Sequence, residues 1–196
     1  MRTDSQPAQR AAVLKLTLAT AAEHPRRAAL EAAIPAELRE AIEAARPSEW
    51  LPITRTMALL ETVWKVLPRD EFIDFYIRQI DKAQTDSAFG RFMSGAGRVF
   101  MRTPMSRLRH LPRGFDLAQR EAGDMDIEPV GEHAAAVRLH SLPRILRNEC
   151  YAISMIAPLR FAIAQAADDV RIDVDTRELS HGVVHYQIAW TERSGA

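Results

Sequence analysis

Residues 170–190 read VRIDVDTRELSHGVVHYQIAW, with a period-two run at each end. In the first run Val170, Ile172 and Val174 alternate with Arg171, Asp173 and Asp175. In the second, Val184, Tyr186, Ile188 and Trp190 alternate with Val183, His185, Gln187 and Ala189. Successive side chains of a strand point to opposite faces, so each run predicts a half-buried strand. The connection between them ends in Gly182. Immediately upstream, Asn148 to Ala167 is too long and too rich in alanine and isoleucine for a strand. It predicts a buried helix that Pro158 should kink or split. Before that, Met125–Val130 and His133–Leu142 flank Gly131-Glu132, a short hairpin connection. Pro129 places the first of these strands at an edge or a bulge, because proline cannot donate to a ladder. Hairpin, helix and hairpin make a four-stranded antiparallel sheet with helices on its apolar face. Its outer face would carry Arg138, His140, Arg171, Asp173, His185 and Gln187.

The sequence from Ala8 to Gly114 has a different period, and prolines divide it. Ala8 to Glu23 predicts a helix stopped by Pro25, followed by a short helix from Arg26 to Ile34. Pro35 suits the first turn of the next helix, Ala36 to Ala45. Pro47 and Pro52 frame a turn around Trp50. Beyond it Met57, Leu60, Val63, Trp64 and Leu67 recur at steps of three and four, the mark of one buried helical face. Pro68-Arg69-Asp70-Glu71 opens a helix with acids in its first turn, where the dipole favours them. Its stripe of Phe72, Phe75, Tyr76 and Ile80, with Ile73 and Ile77 beside it, is wide enough to be covered on more than one side. A further helix is predicted from Ser87 to Met101. A short one starts at Thr103-Pro104, and Pro112-Arg113-Gly114 closes the helical part. The fold class is α+β: one domain over residues 1–196, with a mainly helical half (8–114) and a strand-rich half (115–192).

Composition narrows the function classes. The 26 lysines and arginines balance 26 aspartates and glutamates, a poor basis for neutralising nucleic-acid phosphates. No apolar run approaches the roughly 20 residues that span a bilayer. A single cysteine, Cys150, excludes an internal disulfide framework and a thiolate zinc site. In its apolar setting it reads as a buried, inert thiol of a reducing, cytoplasmic compartment. Residues 11–22 resemble a signal-peptide core only until Lys15 interrupts them.

No catalytic constellation emerges. His181 and His185 are four apart but fall in a turn and a strand, without the glutamate of an HExxH zinc helix. Ser94-Gly95-Ala96-Gly97-Arg98 lacks the strand and the Lys-Ser/Thr of a phosphate loop. No GxSxG is present. His185 and Asp173 are the strongest acid–base candidates, and neither has a visible partner. The aromatic surplus of the helical part remains. Phe72, Phe75, Tyr76, Phe89 and Phe92, with Tyr151 and Met155, could either line an apolar pocket between helices and sheet or fill an ordinary core.

The order of landmarks resembles a known family. Leu14 to Ile34 followed by Pro35-Ala36-Glu37-Leu38-Arg39 is similar to an opening helix and a Leu-Pro-x-Glu step. Ser48-Glu49-Trp50-Leu51-Pro52 is similar to a Ser-x-Trp-Tyr-Pro signature, with Leu51 in place of tyrosine. Thr103-Pro104 to Leu111-Pro112-Arg113 and the closing His181-Gly182…Tyr186-Gln187-Ile188-Ala189-Trp190 complete the set. Together they resemble the uncharacterised domain family expanded as paralogues in myxobacteria. That family is related in fold to haem–nitric-oxide-binding domains, four-vinyl-reductase domains and vesicle-tethering transport-particle (TRAPP-like) subunits. The resemblance implies helices packed on a four-stranded antiparallel sheet.

The haem-binding branch uses a proximal histidine on a helix and a Tyr-x-Ser-x-Arg motif. Tyr151-Ala152-Ile153-Ser154 has another spacing, no arginine follows two after Ser154, and no helical histidine stands out. The expectation is therefore a domain without haem, metal or other cofactor. Its function would be non-enzymatic binding or sensing of a hydrophobic small molecule. The alternative is a homodimeric interaction scaffold of the tethering type, and an enzyme of unknown class ranks third.

Overall fold

The computed structural model describes residues 6–86 and 103–193. The fold is α+β. Eight helices are described: α1 Ala11–Glu23, α2 Arg27–Ala33, α3 Ala36–Ala44, α4 Ile53–Val66, α5 Arg69–Asp86, α6 Pro104–Ala118, α7 Glu149–Ser154 and α8 Ile156–Ala164. The strands are β1 Ala8–Arg10, β2 Trp50–Pro52, β3 Gln119–Arg120, β4 Asp124–Gly131, β5 Ala134–His140, β6 Ala167–Asp175 and β7 Val184–Glu192. The helix predicted over Ser87–Met101 lies outside the described residues.

The four long strands form one antiparallel sheet in the order β4-β5-β7-β6. Pro129 is on the edge strand β4, beside an irregularity in its pairing with β5. The apolar side of the sheet is buried at Ala135, Val137, Leu139, Val184, Tyr186, Ile188 and Trp190. The outer side exposes Arg138, Arg171, Asp173 and Gln187, with His140 and His185 half-buried. Gly182 has φ +81° in the turn before β7, and a Cβ there would meet the Leu142 carbonyl oxygen at 2.9 Å. Arg147 ties the same turn to the end of β5, its Nε donating to Leu142 O (2.8 Å) and its Nη1 to Ser180 O (3.0 Å).

Helices α7 and α8 cover the sheet. The break between them falls at Met155 rather than at Pro158. Proline has no N–H to give the Ser154 carbonyl, so it is tolerated in the first turn of a new helix and not in the middle of one continuous helix. Tyr186 on β7 donates its buried hydroxyl to the Ala152 carbonyl at 2.8 Å, and burial raises its pKa. The helical layer packs on the far side of α7 and α8. Residues from both halves belong to one continuous hydrophobic cluster.

Three features depart from the sequence expectation. The first helix starts at Ala11, and Ala8–Arg10 is instead a strand. It pairs with β2 and β3 in a second, small antiparallel sheet, β2-β1-β3. Strands of two or three residues are specified by their partners and carry no periodicity of their own. Arg10 and Arg120 both lie over the Trp50 ring, at 4.0 and 5.0 Å from its centroid, and fasten this sheet from two strands. Finally, α6 does not end at Pro112-Arg113-Gly114 but runs through Pro112 to Ala118. Its N-terminus is fixed by a capping box in which Thr103 Oγ1 accepts from Ser106 N and Ser106 Oγ accepts from Thr103 N. The helical half therefore extends four residues beyond its predicted end.

An aromatic cluster joins α4 to α5. Trp64 and Phe72 meet edge-on with centroids 4.8 Å apart, Phe72 and Tyr76 at 5.0 Å, and Phe75 and Tyr76 at 5.1 Å. His24, after α1, packs edge-on against Phe75 at 5.8 Å and accepts the Arg26 N–H on Nδ1. Burial, with Arg78 second, depresses its pKa, so the imidazole is held neutral. Replacing Phe72, which is fully buried, with alanine should lower unfolding free energy by about 3–5 kcal/mol in urea titration. For His24 the unfolded chain takes up a proton first as pH falls below its ordinary value, so stability falls with pH. The slope is at most about 1.4 kcal/mol per pH unit. H24Q should flatten that part of a stability–pH profile.

Candidate functional site

A cavity of about 490 Å³ lies among the helices, within the range of roughly 300–1,000 Å³ of small-molecule sites. One wall is a stripe along α6: Arg107, His110, Leu111, Gly114, Phe115 and Ala118. Steps of three and four place these side chains on a single face. Gly114 is exposed at the open side of the cavity, and a Cβ there would meet no described atom within 4 Å. Facing it, α1 supplies Val13, Leu14, Leu16 and Thr17, and α5 supplies Tyr76, Gln79, Ile80, Ala83 and Gln84. Helices α7 and α8 add Tyr151, Ser154, Pro158, Phe161 and Ala162, with Met155 at their junction. From the small sheet come Gln9 and Gln119, which are paired in register.

The polar groups on this wall are tied into short bridges. Gln79 donates from Nε2 to the Val13 carbonyl (3.1 Å) and accepts from Thr17 on Oε1 (3.0 Å). Tyr151 donates to Gln119 Oε1 at 3.1 Å. Burial raises the pKa of both Tyr76 and Tyr151 above the usual phenol range. Arg107 Nη1 donates to Gln165 Oε1 at 2.6 Å. Among the described residues, the buried polar side-chain atoms without a hydrogen-bond partner are Gln9 Oε1, Thr56 Oγ1, Arg107 Nε and Arg160 Nε. The first three belong to residues that line the cavity. An unpartnered buried polar atom costs free energy, and these three come from β1, α4 and α6 around the same cavity.

Of the seven pocket candidates from sequence, Tyr76, Tyr151 and Met155 line the cavity. Phe72 and Phe75 do not: both are fully buried in the aromatic cluster with Trp64 and His24. Phe89 and Phe92 lie outside the described residues. The cavity is also less of a helix–sheet space than expected, since the four-stranded sheet contributes only Met125 among the described residues. His110, Arg107 and the glutamines were not picked out from sequence. The signal was present in α6, where small residues and one histidine recur on the face that also carries Leu111 and Phe115.

The other candidates lie elsewhere. His185 is on β7, 3.8 Å from Glu178, and His181 is in the turn before it. Asp173 is exposed on β6. Among the described residues no group of three His, Cys, Asp or Glu side chains is placed to hold a metal ion. No described helix is long and apolar enough to cross a membrane. Cys150 is buried on α7 and its thiol donates to Asn148 Oδ1 at 2.9 Å. Burial, with nearby Glu61 second, pushes its pKa up to about 12. The native protein should therefore react with a disulfide reagent at pH 8 only as fast as it unfolds, and the full thiol should appear in denaturant.

No protein-family model matches this sequence, and no curated protein matches it significantly. Solved structures do match its fold. The Fe(II) unliganded H-NOX protein of K. algicida superposes with a TM-score of 0.66 at 8% identity, over 95% of this chain and 99% of that one. An oxygen-binding H-NOX domain related to soluble guanylate cyclases gives 0.59 at 7% identity, over 94% and 95%. An H-NOX structure used to probe haem distortion gives 0.59 at 8% identity, over 95% and 97%. Helices and sheet of this chain are thus arranged as in the H-NOX fold.

Proposed function

We propose that this chain is a non-enzymatic sensory domain that holds a small, largely apolar molecule in the cavity walled by α6. The observation that carries this reading is the cavity itself. It is apolar over most of its wall, it has unpartnered buried polar atoms at Gln9, Thr56 and Arg107, and no acidic side chain lines it among the described residues. The shared fold supports a sensory role by analogy, since fold alone does not assign function.

Haem is the group that the fold implies. It needs an axial ligand and anchors for two carboxylates. Among the described residues the wall supplies one imidazole, that of His110, an exposed residue of α6. With His110 on iron, Arg107 would be the one cation left among the described wall residues, and it already donates to Gln165. The strand-end Tyr-x-Ser-x-Arg anchor is missing from the sequence. This donor set does not fit haem, and it does fit a smaller ligand.

The open space beside Gly114 supplies the test. A neutral apolar fluorophore, 1-aminoanthracene, should bind wild type with enhanced, blue-shifted emission. G114A should keep binding and gain about 0.5–1 kcal/mol of stability, because glycine weakens a helix interior. G114F should fill that space and abolish binding while the fold melts normally. Equal binding by wild type and G114F, or none by wild type, would overturn the reading. Haemin titration adds a second arm: a Soret band that vanishes in H110A would replace the proposed ligand class with haem.

A further inference from the structure

We infer that the cavity takes an amphiphilic monoanion, such as a monocarboxylic acid with an apolar body, and that Arg107 receives its charged end. The inference rests on the cavity being the binding site and adds the chemical class of its occupant. Among the described residues Arg107 is the only permanently charged side chain on the wall, which carries no aspartate or glutamate. No described carboxylate forms a salt bridge with it. Its one hydrogen-bonded partner is the neutral amide of Gln165, at 2.6 Å, and its Nε is buried with no partner at all.

An arginine cannot escape this situation by losing its proton. Burial works against its charged form, and no neighbouring group offsets that effect. Arg107 as a whole is half-buried, but its Nε is shut off from solvent, and hydrogen bonds from a guanidinium to a carboxylate are among the strongest available. His110, one turn along the same face of α6, can donate a second bond to the same group. The remaining wall sets the other end of the molecule. Ile80, Leu111, Phe115, Met155 and Phe161 offer an apolar lining, with no second cation among the described residues. A wholly neutral hydrocarbon would leave Arg107 uncompensated, and a dianion would leave one charge unmatched by the described wall.

The test is displacement of 1-aminoanthracene from the full chain by decanoate and by decanol at neutral pH. The two competitors differ at one end only. Decanoate should displace the fluorophore from wild type at concentrations about 10-fold or more below decanol, the effect of a charge-assisted hydrogen bond. R107Q should lose that preference, its acid-to-alcohol ratio falling to about one, and R107K should retain part of it. Equal potency of acid and alcohol on wild type, or an R107Q protein that still prefers the acid, would overturn the inference and leave the cavity reading standing. A wild-type protein that takes up neither fluorophore nor decanoate overturns both. If R107Q does not fold, the wild-type acid-to-alcohol ratio and the R107K variant decide the matter.

Discussion

The structure depends on one short pair of helices being buried on more than one face. Helices α7 and α8 bury Cys150, Tyr151, Ala152, Ile153, Ile156, Ala157, Leu159, Ala162 and Ile163, more than one face could account for. A helix with that pattern needs neighbours on both sides. On one side it meets the sheet, where the Tyr186 hydroxyl is anchored on the Ala152 carbonyl. On the other it meets the helical layer and supplies Tyr151, Ser154, Pro158 and Phe161 to the cavity. Sheet and cavity are thus two surfaces of the same support, and neither can be repacked without the other.

One edge of the cavity is framed by elements that contribute little area of their own. The small sheet joins the start of the chain to Trp50 and to the residues just after α6. It thereby places Gln9, only 5% exposed, on the cavity wall. Three strands of two or three residues would not pair unaided in water. Here Arg10 and Arg120 clasp the Trp50 ring between them, and loop carbonyls satisfy the first helix: Ala11 N–H donates to Glu49 O (2.8 Å) and Ala12 N–H to Pro47 O (3.0 Å).

The large sheet was legible from sequence because its strands alternate strictly: one face is packed and the other wet. The helices up to α5 were legible because prolines and the three-four spacing mark them. The small sheet was not, since its strands are defined by distant partners. The length of α6 was misjudged because Pro112 reads as a stop, yet buried Leu108 and the wall residues Leu111 and Phe115 hold the helix on both sides of it. The site was the least legible part. Phe72, Phe75 and Tyr76 share one stripe of α5, and only packing reveals that Tyr76 alone reaches the void. Described lining residues drawn from six helices, two strands of the small sheet and β4 leave no contiguous motif, and Arg107 looks like any surface arginine until its neighbours are known.

Pro112 has a mechanical corollary. It sits between His110 and Gly114 and gives no hydrogen bond to the carbonyl of Leu108, so one rung of the α6 ladder is missing. The helix is least stiff at that turn. One hydrogen bond fewer opposes bending there, while the neighbouring rungs keep the helix continuous. That turn lies on the cavity wall between Arg107 and Phe115, and the chain runs on through β3 into the pairing with β1 near its own beginning.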